Sequence, residues 1–452
     1  MKFGGTSVES QEAVARVACI VKKHEHRRPI VVVSAMGRTT DKLLKAAVEA
    51  GAGRRDQALA LIDELRAFHL THGLAVAGSG AAELDRYIRA HFEWLEELAK
   101  GLSVVGELSA RSMDLIASAG ERLSSLIAAF AFRSAGMRTQ HVDARRVIIT
   151  DDRFTQAQPL FERTYAALEQ TVRPLADTSV VVMGGFVGAT EDGQTTTLGR
   201  GGSDYTASIV GAGLGAEEIQ IWTDVDGMLT ADPRLVPDGR RVKSISFAEA
   251  AEMAYFGAKV LHPATVLPAI ERNIPVLILN SRRPEVAGTR ITSEPTACRN
   301  PVKSISCKRN IIVINIHSTR MLMARGFLRR IFEIFDRFDT SVDMVSTSEV
   351  SVSLTVDDRQ YLEPICGQLR EFSQVSVEDR QAIVCLVGDN IRYTPGIAGR
   401  AFQVIDRTNI RMISQGASEL NLGFVVSDED AGKVVVALHK EFFSETDPAV
   451  FD

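Results

Sequence analysis

The chain has 452 residues, which is too long for one ordinary hydrophobic core, so two or three domains are predicted. Its hydrophobic content of 45% and charged content of 24% are typical of a soluble globular protein. The net charge is −5, from 52 basic and 57 acidic residues without a basic block, which argues against a nucleic-acid partner.

Cysteine, histidine and apolar patterning narrow the protein class further. The five cysteines form no CxxC pair and leave one unpaired, which favours a reducing compartment. The nine histidines form no HxxxH or HExxH pattern, so no resident metal site is expected. No apolar run is expected to approach the roughly 20 residues that span a bilayer, and Lys2 with a glycine turn stands where a signal segment would begin. A cytoplasmic protein without a membrane partner is therefore predicted.

The chain opens on a glycine turn, residues 2–8, that would normally follow a β-strand. Only Met1 precedes it. We therefore expect either that the first strand is missing or that the natural start lies upstream; a lost central strand would leave neighbouring backbone groups unpaired.

From there to about residue 290, short β-branched runs alternate with helical patterns. Strands are predicted at 30–33, 140–142, 179–183, 219–222 and 275–279. Helices are predicted near 10–23, 41–50, 56–76, 82–100, 107–135, 157–172, 203–214, 246–255 and 263–272. The alternation predicts an α/β fold, a mainly parallel sheet between helices. Loops 34–40, 184–188 and 223–227 follow predicted strands, where such sheets bind ligands.

The most informative stretch is 195–207. Arg200, three glycines, Ser203 and Asp204 fall within six residues, and a helical pattern begins at Ser203. This combination predicts a glycine turn at a helix N-terminus, a place that favours a carboxylate or phosphate. The alternative is a flexible surface loop with helix capping by Ser203 or Asp204.

Three further segments are candidate sites. Residues 223–234 place a hydroxyl and a carboxylate after a strand; the alternative is an Asp-Gly turn with capping by Asp232. Lys259 lies in an otherwise apolar segment, and Glu121 lies in a long apolar helix. Charged side chains are rarely buried without a partner, so a ligand amine would suit Glu121.

Around 289–301 the composition becomes polar and proline-containing, which indicates a domain boundary. Two self-similar units follow. The first combines strand 311–316, helix 326–338 and strands 341–347 and 350–356. The second combines strand 382–387, helix 396–407 and strands 410–415 and 420–426, which indicates a duplicated βαββαβ module.

Five segments together, 2–8, 34–44, 198–207, 222–234 and 256–265, resemble the motifs of aspartate kinase in the amino-acid kinase family. The duplicated C-terminal units resemble its paired α+β ACT domains. The resemblance covers essentially the whole chain. It implies an amino-acid kinase domain at 1–292, a first ACT domain at 308–381 and a second formed by 299–307 and 382–452.

The activity that the resemblance implies is MgATP-dependent phosphorylation of the β-carboxylate of L-aspartate, an early step toward lysine, threonine and methionine. ATP and Mg²⁺ are the implied cofactors, and a homodimer or tetramer through the ACT domains is implied. The catalytic residues carried over by motif are Lys2, Asp204 and Lys259. The substrate-binding residues are Thr40, Glu121, Arg200, Gly201, Gly202 and Ser203. The ATP-binding residues are Lys2, Phe3, Gly4, Gly5, Thr223, Asp224, Leu229, Arg234, Lys259 and Val260.

The ACT pair resembles that of the lysine-inhibited, single-function branch, so lysine is the expected effector. Its implied pocket consists of Met321, Ala324, Gly326, Phe327, Leu328, Ser341, Val342, Asp343, Thr347 and Ser348. Two positions depart from the pattern: Leu229 replaces a tyrosine common beside the nucleotide, and Ala324 replaces a frequent serine. The pocket residues could instead form only a dimer interface. Two other functions stay open, a non-catalytic amino-acid sensor and a sister kinase for another carboxylate.

Overall fold

A computed structural model describes residues 1–257, 263–318 and 326–452. The strands, in chain order, are β1 (Lys2–Phe3), β2 (Ile30–Val33), β3 (Thr139–His141), β4 (Val180–Gly184), β5 (Val187–Ala189), β6 (Thr195–Thr197), β7 (Ile219–Thr223), β8 (Ser244–Ser246), β9 (Val276–Asn280), β10 (Thr289–Thr292), β11 (Ser304–His317), β12 (Val345–Thr347), β13 (Ser351–Val356), β14 (Gln374–Val387), β15 (Met412–Gln415) and β16 (Asn421–Ser427).

The helices, in chain order, are α1 (Gln11–Lys23), α2 (Thr39–Gly51), α3 (Arg55–Val76), α4 (Ala81–Val105), α5 (Ala110–Ala117), α6 (Ala119–Ser134), α7 (Phe161–Thr171), α8 (Arg173–Ala176), α9 (Gly202–Leu214), α10 (Phe247–Tyr255), α11 (Leu267–Glu271), α12 (Phe327–Arg337), α13 (Leu362–Arg370), α14 (Ile397–Val404) and α15 (Asp428–Phe442). The chain divides into a first unit, Met1–Gly227 with Val260–Pro295, and a second unit, Met228–Lys259 with Thr296–Asp452. The second unit thus includes 228–259, which the predicted boundary at 292 had placed in the N-terminal domain.

The first unit is built on a mainly parallel sheet, as predicted. Its strands follow the order β3-β4-β2-β1-β7-β9-β10, with only β10 antiparallel to its neighbour β9. Hydrophobic side chains of β1, β2 and β4 pack under helices α1, α2, α3, α4 and α6 to form one core. Helix α9 packs on β1, β2 and β7. The five predicted strands lie within one residue of their observed positions.

The expectation of a missing first strand is wrong. Lys2 and Phe3 form a short β1 that pairs in parallel with Val32 and Val33 on one side and with Ile221 and Trp222 on the other. The Phe3 ring stacks on Trp222, with centroids 5.8 Å apart. Two residues are enough because both neighbouring strands satisfy their backbone groups and the stacked rings anchor the side chain.

The predicted helix 107–135 is two helices, α5 and α6, that meet at Ser118. The combined stretch Ala110–Ser134 is long and apolar enough by composition to cross a membrane, contrary to the expectation, and contains an 18-residue segment with a mean hydropathy of 1.3. It is 83% buried inside the protein, which is the situation of a core helix. The predicted helix 263–272 is also shorter than expected: a 3₁₀ turn precedes the five-residue α11.

The second unit contains a six-stranded sheet in the order β12-β13-β11-β14-β16-β15. The predicted βαββαβ duplication is confirmed: α12, β12 and β13 follow β11, and α14, β15 and β16 follow β14. The sequence analysis did not single out α13 and α15, which complete the two modules. Strands β11 and β14 each span 14 residues and pair with each other along both modules, with register shifts between Lys308 and Val313.

Candidate active site

A cavity of about 300 Å³ lies in the first unit where the loops after neighbouring parallel strands converge. Loops after β1, β2 and β4 meet there because the carboxyl ends of parallel strands share one edge of a sheet. The cavity is lined by Lys2, Ser34, Thr40, Glu121, Phe186, Gly199, Arg200, Gly201, Gly202, Ser203 and Asp204. The fold thus brings together eight predicted site residues from four separate segments.

Lys2 and Asp204 form an ion pair inside this cavity. Lys2 Nζ lies 2.7 Å from Asp204 Oδ1, and the two side chains are only 11% and 15% exposed. Lys2 is fixed by its position on β1, and Asp204 lies in the first turn of α9. A positive charge is therefore held at the bottom of the cavity by a carboxylate that 202 residues of sequence separate from it.

Glu121 contributes a buried carboxyl group to the same cavity. It lies in the first turn of α6, is 4% exposed, and its Oε2 has no hydrogen-bond partner within the described ranges. Burial raises its pKa to about 8, while backbone hydrogen bonds and the Lys2 charge act in the opposite direction. Without a ligand, Glu121 is therefore mostly protonated at pH 7, and a bound cation would favour its ionised form.

The glycine turn leads into a helix as predicted. Gly199 and Gly201 have φ values of 74° and 71°, left-handed conformations that glycine adopts without steric cost, and α9 begins at Gly202. The alternative of capping by Ser203 or Asp204 is wrong: the N-cap is Gly201 and no side-chain cap is formed. The Gly202 N–H donates to the Gly199 carbonyl at 3.0 Å, the N–H groups of Ser203 and Asp204 meet no side-chain cap, and Arg200 is exposed at the cavity.

Close packing at the end of β4 positions this turn. A Cβ atom at Gly185 would lie 2.7 Å from Ser203 Cα, and one at Gly184 would lie 2.9 Å from the Glu121 carbonyl oxygen. Phe186, with φ of 66°, donates its N–H to Thr206 Oγ1 at 2.9 Å and lines the cavity. Sequence reasoning identified the loop 184–188 but missed Phe186 itself.

The loop after β1 differs in one respect from expectation. The Gly4 N–H is already donated to the Trp222 carbonyl at 3.1 Å, so Gly4 cannot offer it to a phosphate. Gly4 instead leaves space beside Lys2 Nζ, which would lie 3.6 Å from a Cβ atom there. The Gly5 N–H has no partner within the described ranges. The Phe3 side chain is fully buried against Trp222, so it cannot contact a nucleotide in the cavity.

Thr223 and Asp224 follow β7 at the same edge of the sheet. Thr223 Oγ1 donates to Asp224 Oδ1 at 3.2 Å, and the Thr223 carbonyl accepts from the N–H of Ser281 at 2.8 Å. Thr223 and Asp224 thus lie at the carboxyl end of β7, which a hydrogen bond connects to the residue after β9. Nucleotides bind at this edge of parallel sheets.

Comparison with known proteins identifies the family of this chain. The profile of the amino acid kinase family matches residues 1–280, and that of the ACT domain matches residues 384–442. The chain is 40% identical to aspartokinase 2, chloroplastic, of Arabidopsis thaliana over 99% of its own length and 84% of that protein. It is 38% identical to the lysine-sensitive aspartokinase 3 of Escherichia coli over 98% of both chains.

The chain belongs to the aspartokinase group of the amino acid kinase family. Its fold matches the crystal structure of E. coli aspartokinase III in complex with aspartate and ADP with a TM-score of 0.83, at 36% identity over 98% of this chain and 99% of that one. A second structure of that protein, with lysine and aspartate, also matches with a TM-score of 0.83. Aspartokinases are phosphotransferases, so this chain is an enzyme of that class.

Two other nucleotide residues inferred from the aspartokinase motifs, Leu229 and Arg234, do not line the cavity. Leu229 and Arg234 belong to the second unit. Arg234 pairs with Asp232 at 2.6 Å, and Asp232 also accepts the Arg234 N–H, as the turn alternative predicted. Lys259 and Val260 lie outside the described residues, so their roles stay predictions.

The effector pocket expected of a lysine-sensitive aspartokinase centres on Asp343, in the second unit. Its side chain is 4% exposed, and its Oδ1 accepts a hydrogen bond from Lys308 Nζ at 2.8 Å. Lys308 Nζ also lies 2.8 Å from Asp357 Oδ2 and 5.3 Å from the centre of the Tyr255 ring. Burial lowers the pKa of Lys308, but the hydrogen bonds to the two carboxylates outweigh it, and the pKa is raised.

The other described residues of the predicted effector pocket lie at the start of α12 and on or beside β12. Gly326 has φ of 83° and caps α12, whose first turn contains Phe327 and Leu328. Thr347 lies on β12 and Ser348 directly after it, while Ser341 and Val342 precede that strand. Met321 and Ala324 lie outside the described residues.

Proposed function

We propose that this chain catalyses MgATP-dependent phosphorylation of the L-aspartate β-carboxylate to 4-phospho-L-aspartate. The observation that carries the proposal is the convergence of the Lys2–Asp204 pair, the buried Glu121 carboxyl and the exposed Arg200 in one cavity. L-Aspartate offers one ammonium and two carboxylates. In the cavity, the Glu121 carboxyl group can bind the ammonium once it is ionised, and Lys2 and Arg200 supply cations for the carboxylates.

The substrate groups are assigned by charge. Arg200, with the backbone of the glycine turn, would bind the α-carboxylate, because a planar guanidinium meets a carboxylate with two hydrogen bonds. Glu121 would accept the α-ammonium, which supplies the cation that its buried oxygen lacks. Thr40, at the rim of the cavity, would contact a substrate oxygen.

The reaction needs no general base, because a carboxylate with an ordinary pKa of roughly 4 is already ionised at neutral pH. The obstacle is the repulsion between that anion and a polyphosphate. Lys2 would reduce it by placing its ammonium between the two, and Asp204 would keep that ammonium in position. Catalysis would then consist mainly of positioning and charge neutralisation.

Two donors suit a polyphosphate: the Lys2 ammonium in the cavity and the Gly5 N–H in the loop after β1. Lys259 would supply a second ammonium, and Thr223, Asp224 and Arg234 would contact the nucleotide. Mg²⁺ would be held chiefly by phosphate oxygens and water, where it neutralises charge on the transferred group.

We further propose that lysine regulates the enzyme at Asp343 and that the ACT modules form a homodimer or tetramer. Strand β12 supports the second point, because it is an edge strand of the sheet and all three of its residues are exposed. An unpaired edge is a surface on which a second copy can add a strand. The cytoplasm is the compartment we expect for this activity.

Trapping the acyl phosphate with hydroxylamine tests the activity. Aspartate with MgATP should yield the hydroxamate, whereas glutamate and acetylglutamate should yield none above background, and UMP should cause no ADP release above background. Product from another carboxylate alone would favour a sister kinase. Lysine binding by folded protein without turnover of any substrate would favour the non-catalytic sensor.

A further inference from the structure

A second cavity in the first unit, of about 170 Å³, shares no lining residue with the candidate active site. It lies between α4 and α6 and the segment that follows β3. Its polar lining comes from Tyr87 and His91 on α4, Arg122 and Ser125 on α6, and His141 and Asp143. The aspartokinase motifs assign no role to any of these residues.

Arg122 is a cation without a counterion. Its guanidinium lies over the Trp94 ring, 5.3 Å from the centroid, and it forms no side-chain hydrogen bond or ion pair with any residue in ranges 1–257, 263–318 and 326–452. Burial lowers its pKa, and the nearby Arg145 lowers it further. Removing a cation from water without pairing it is unfavourable, so Arg122 is a group for which an anion would be a partner.

The neighbouring carboxylate does not meet this need. Asp143 is bound by Arg145, with Nε–Oδ1 and Nη2–Oδ2 distances of 3.0 and 2.6 Å. Arg145 is further held by a 3.3 Å hydrogen bond to Thr195 Oγ1. Asp143 is thus bound by Arg145, and its charge acts on Arg122 without an ion pair or hydrogen bond between them.

The histidines supply polarity without charge. His141 Nε2 lies 3.0 Å from Ser125 Oγ, and burial lowers the pKa of His141. His91 Nε2 lies 3.1 Å from the Ala119 carbonyl, and burial, followed by the charge of Arg122, lowers the pKa of His91 to about 3. Among the residues that line the cavity, Arg122 is therefore the one cation at neutral pH, and the one carboxylate, Asp143, is already bound by Arg145 outside the lining.

We propose that this cavity binds a small oxyanion, held by the Arg122 guanidinium with Ser125 and the neutral histidines around it. Its volume corresponds to about five or six waters, since one water occupies about 30 Å³ of liquid. That is enough for a phosphate or a short carboxylate and too little for a nucleotide. Arg122 directly follows Glu121 on α6, so an anion here lies beside the helix turn that carries the substrate-binding carboxyl.

The test is calorimetric titration of the full-length protein with inorganic phosphate and, separately, acetate, with MgADP present to fill the nucleotide site. The parent protein should bind one equivalent of phosphate, of acetate or of each. The difference between the two affinities shows whether the cavity prefers a phosphate or a carboxylate. Arg122→Gln should weaken binding at least tenfold, whereas Arg122→Lys, which retains the charge, should retain part of it.

Arg133→Gln is the matched control. Arg133 lies on the same helix and also stacks on an aromatic ring, Phe130 at 5.3 Å, but does not line the cavity. The Arg133→Gln variant should bind the anion with the same affinity as the parent protein. A crystal soaked in selenate should show an anomalous peak beside Arg122. Equal binding by the parent and Arg122→Gln, or no binding and no peak, would overturn the proposal.

Discussion

Arg200 is the exposed side chain that we propose to set the affinity for aspartate. It is the one guanidinium that lines the described cavity, and no group among the described residues pairs with it. Hydrogen bonds to charged groups contribute about 1.5–3 kcal/mol each. Its substitution should therefore act on binding of the amino acid rather than on the protein's stability.

We predict that Arg200→Ala raises the KM for aspartate roughly 10- to 150-fold, the range equivalent to one such interaction. Steady-state kinetics at saturating MgATP measure it. Arg153→Ala is the control, since Arg153 pairs with Asp151 and does not line the cavity. This variant should leave the KM for aspartate unchanged. An unchanged KM in Arg200→Ala would show that the α-carboxylate is bound elsewhere.

Glu121 predicts a pH dependence of aspartate binding. The free carboxyl has a pKa of about 8, so at pH 7 it must lose a proton before it can accept an ammonium. Affinity should rise about tenfold per pH unit from pH 6 toward pH 8 and then level off. Binding at pH 7 should release about one proton.

Titration calorimetry in two buffers with different ionisation enthalpies measures that proton. In Glu121→Gln the release should disappear, together with the slope of affinity against pH. Glu97→Gln, on the exposed surface of α4, should behave as the parent. A parent protein that binds aspartate without proton release would mean that Glu121 does not receive the ammonium.

At the scale of elements, the site depends on how closely the end of β4 approaches the glycine turn. Gly185 meets the Ser203 backbone, and no side chain can be added there without moving α9. The same displacement would move Asp204 away from Lys2. Local packing and the catalytic ion pair are therefore coupled through one helix N-terminus.

Gly185→Ala should lower the free energy of unfolding by about 1–3 kcal/mol, as overpacking does, and lower kcat as well. Denaturant unfolding and the hydroxamate assay measure the two effects. Gly101→Ala is the control, since a Cβ atom there meets nothing within 4 Å and α4 should gain about 0.5–1 kcal/mol. Full activity in Gly185→Ala would show that the turn tolerates displacement.

At the scale of the whole molecule, regulation requires that an effector compete for groups the protein already uses. Asp343 is paired with Lys308, whose ammonium is the same chemical group as the cation of the expected effector. Under the proposed regulation, lysine that binds at Asp343 would have to replace the Lys308 ammonium, which pairs with Asp343 and Asp357.

Lys308→Met should lower the lysine concentration for half-inhibition, on the order of tenfold, because two carboxylates lose their internal cation. Inhibition curves at fixed aspartate and MgATP measure it, and uninhibited turnover reports the kinase activity separately. Lys243→Met, which removes a lysine near Asp452 in the same unit, should not shift the curve. A higher lysine requirement would show that Lys308 supports the effector instead of competing with it.

The sequence alone determined the architecture, the duplicated ACT modules and the position of the glycine turn. Hydrophobic periodicity, glycine and strand-forming residues act over a few residues, so each segment carries its own signal, and the motif set indicated the family. Helix boundaries such as the break at Ser118 were less accessible, because a continuous apolar pattern continues across it.

Only the tertiary structure decided which groups meet and in what state. It paired Lys2 with Asp204, left Glu121 buried without a cation, used the Gly4 N–H for strand pairing and exposed Arg200 beside them. It also formed a two-residue β1 where the sequence suggested a missing strand, and isolated Arg122 from a carboxylate. These outcomes depend on contacts between segments that are distant along the chain. Burial and neighbouring charges set the pKa values and the ion pairs, and both arise only when those segments pack together.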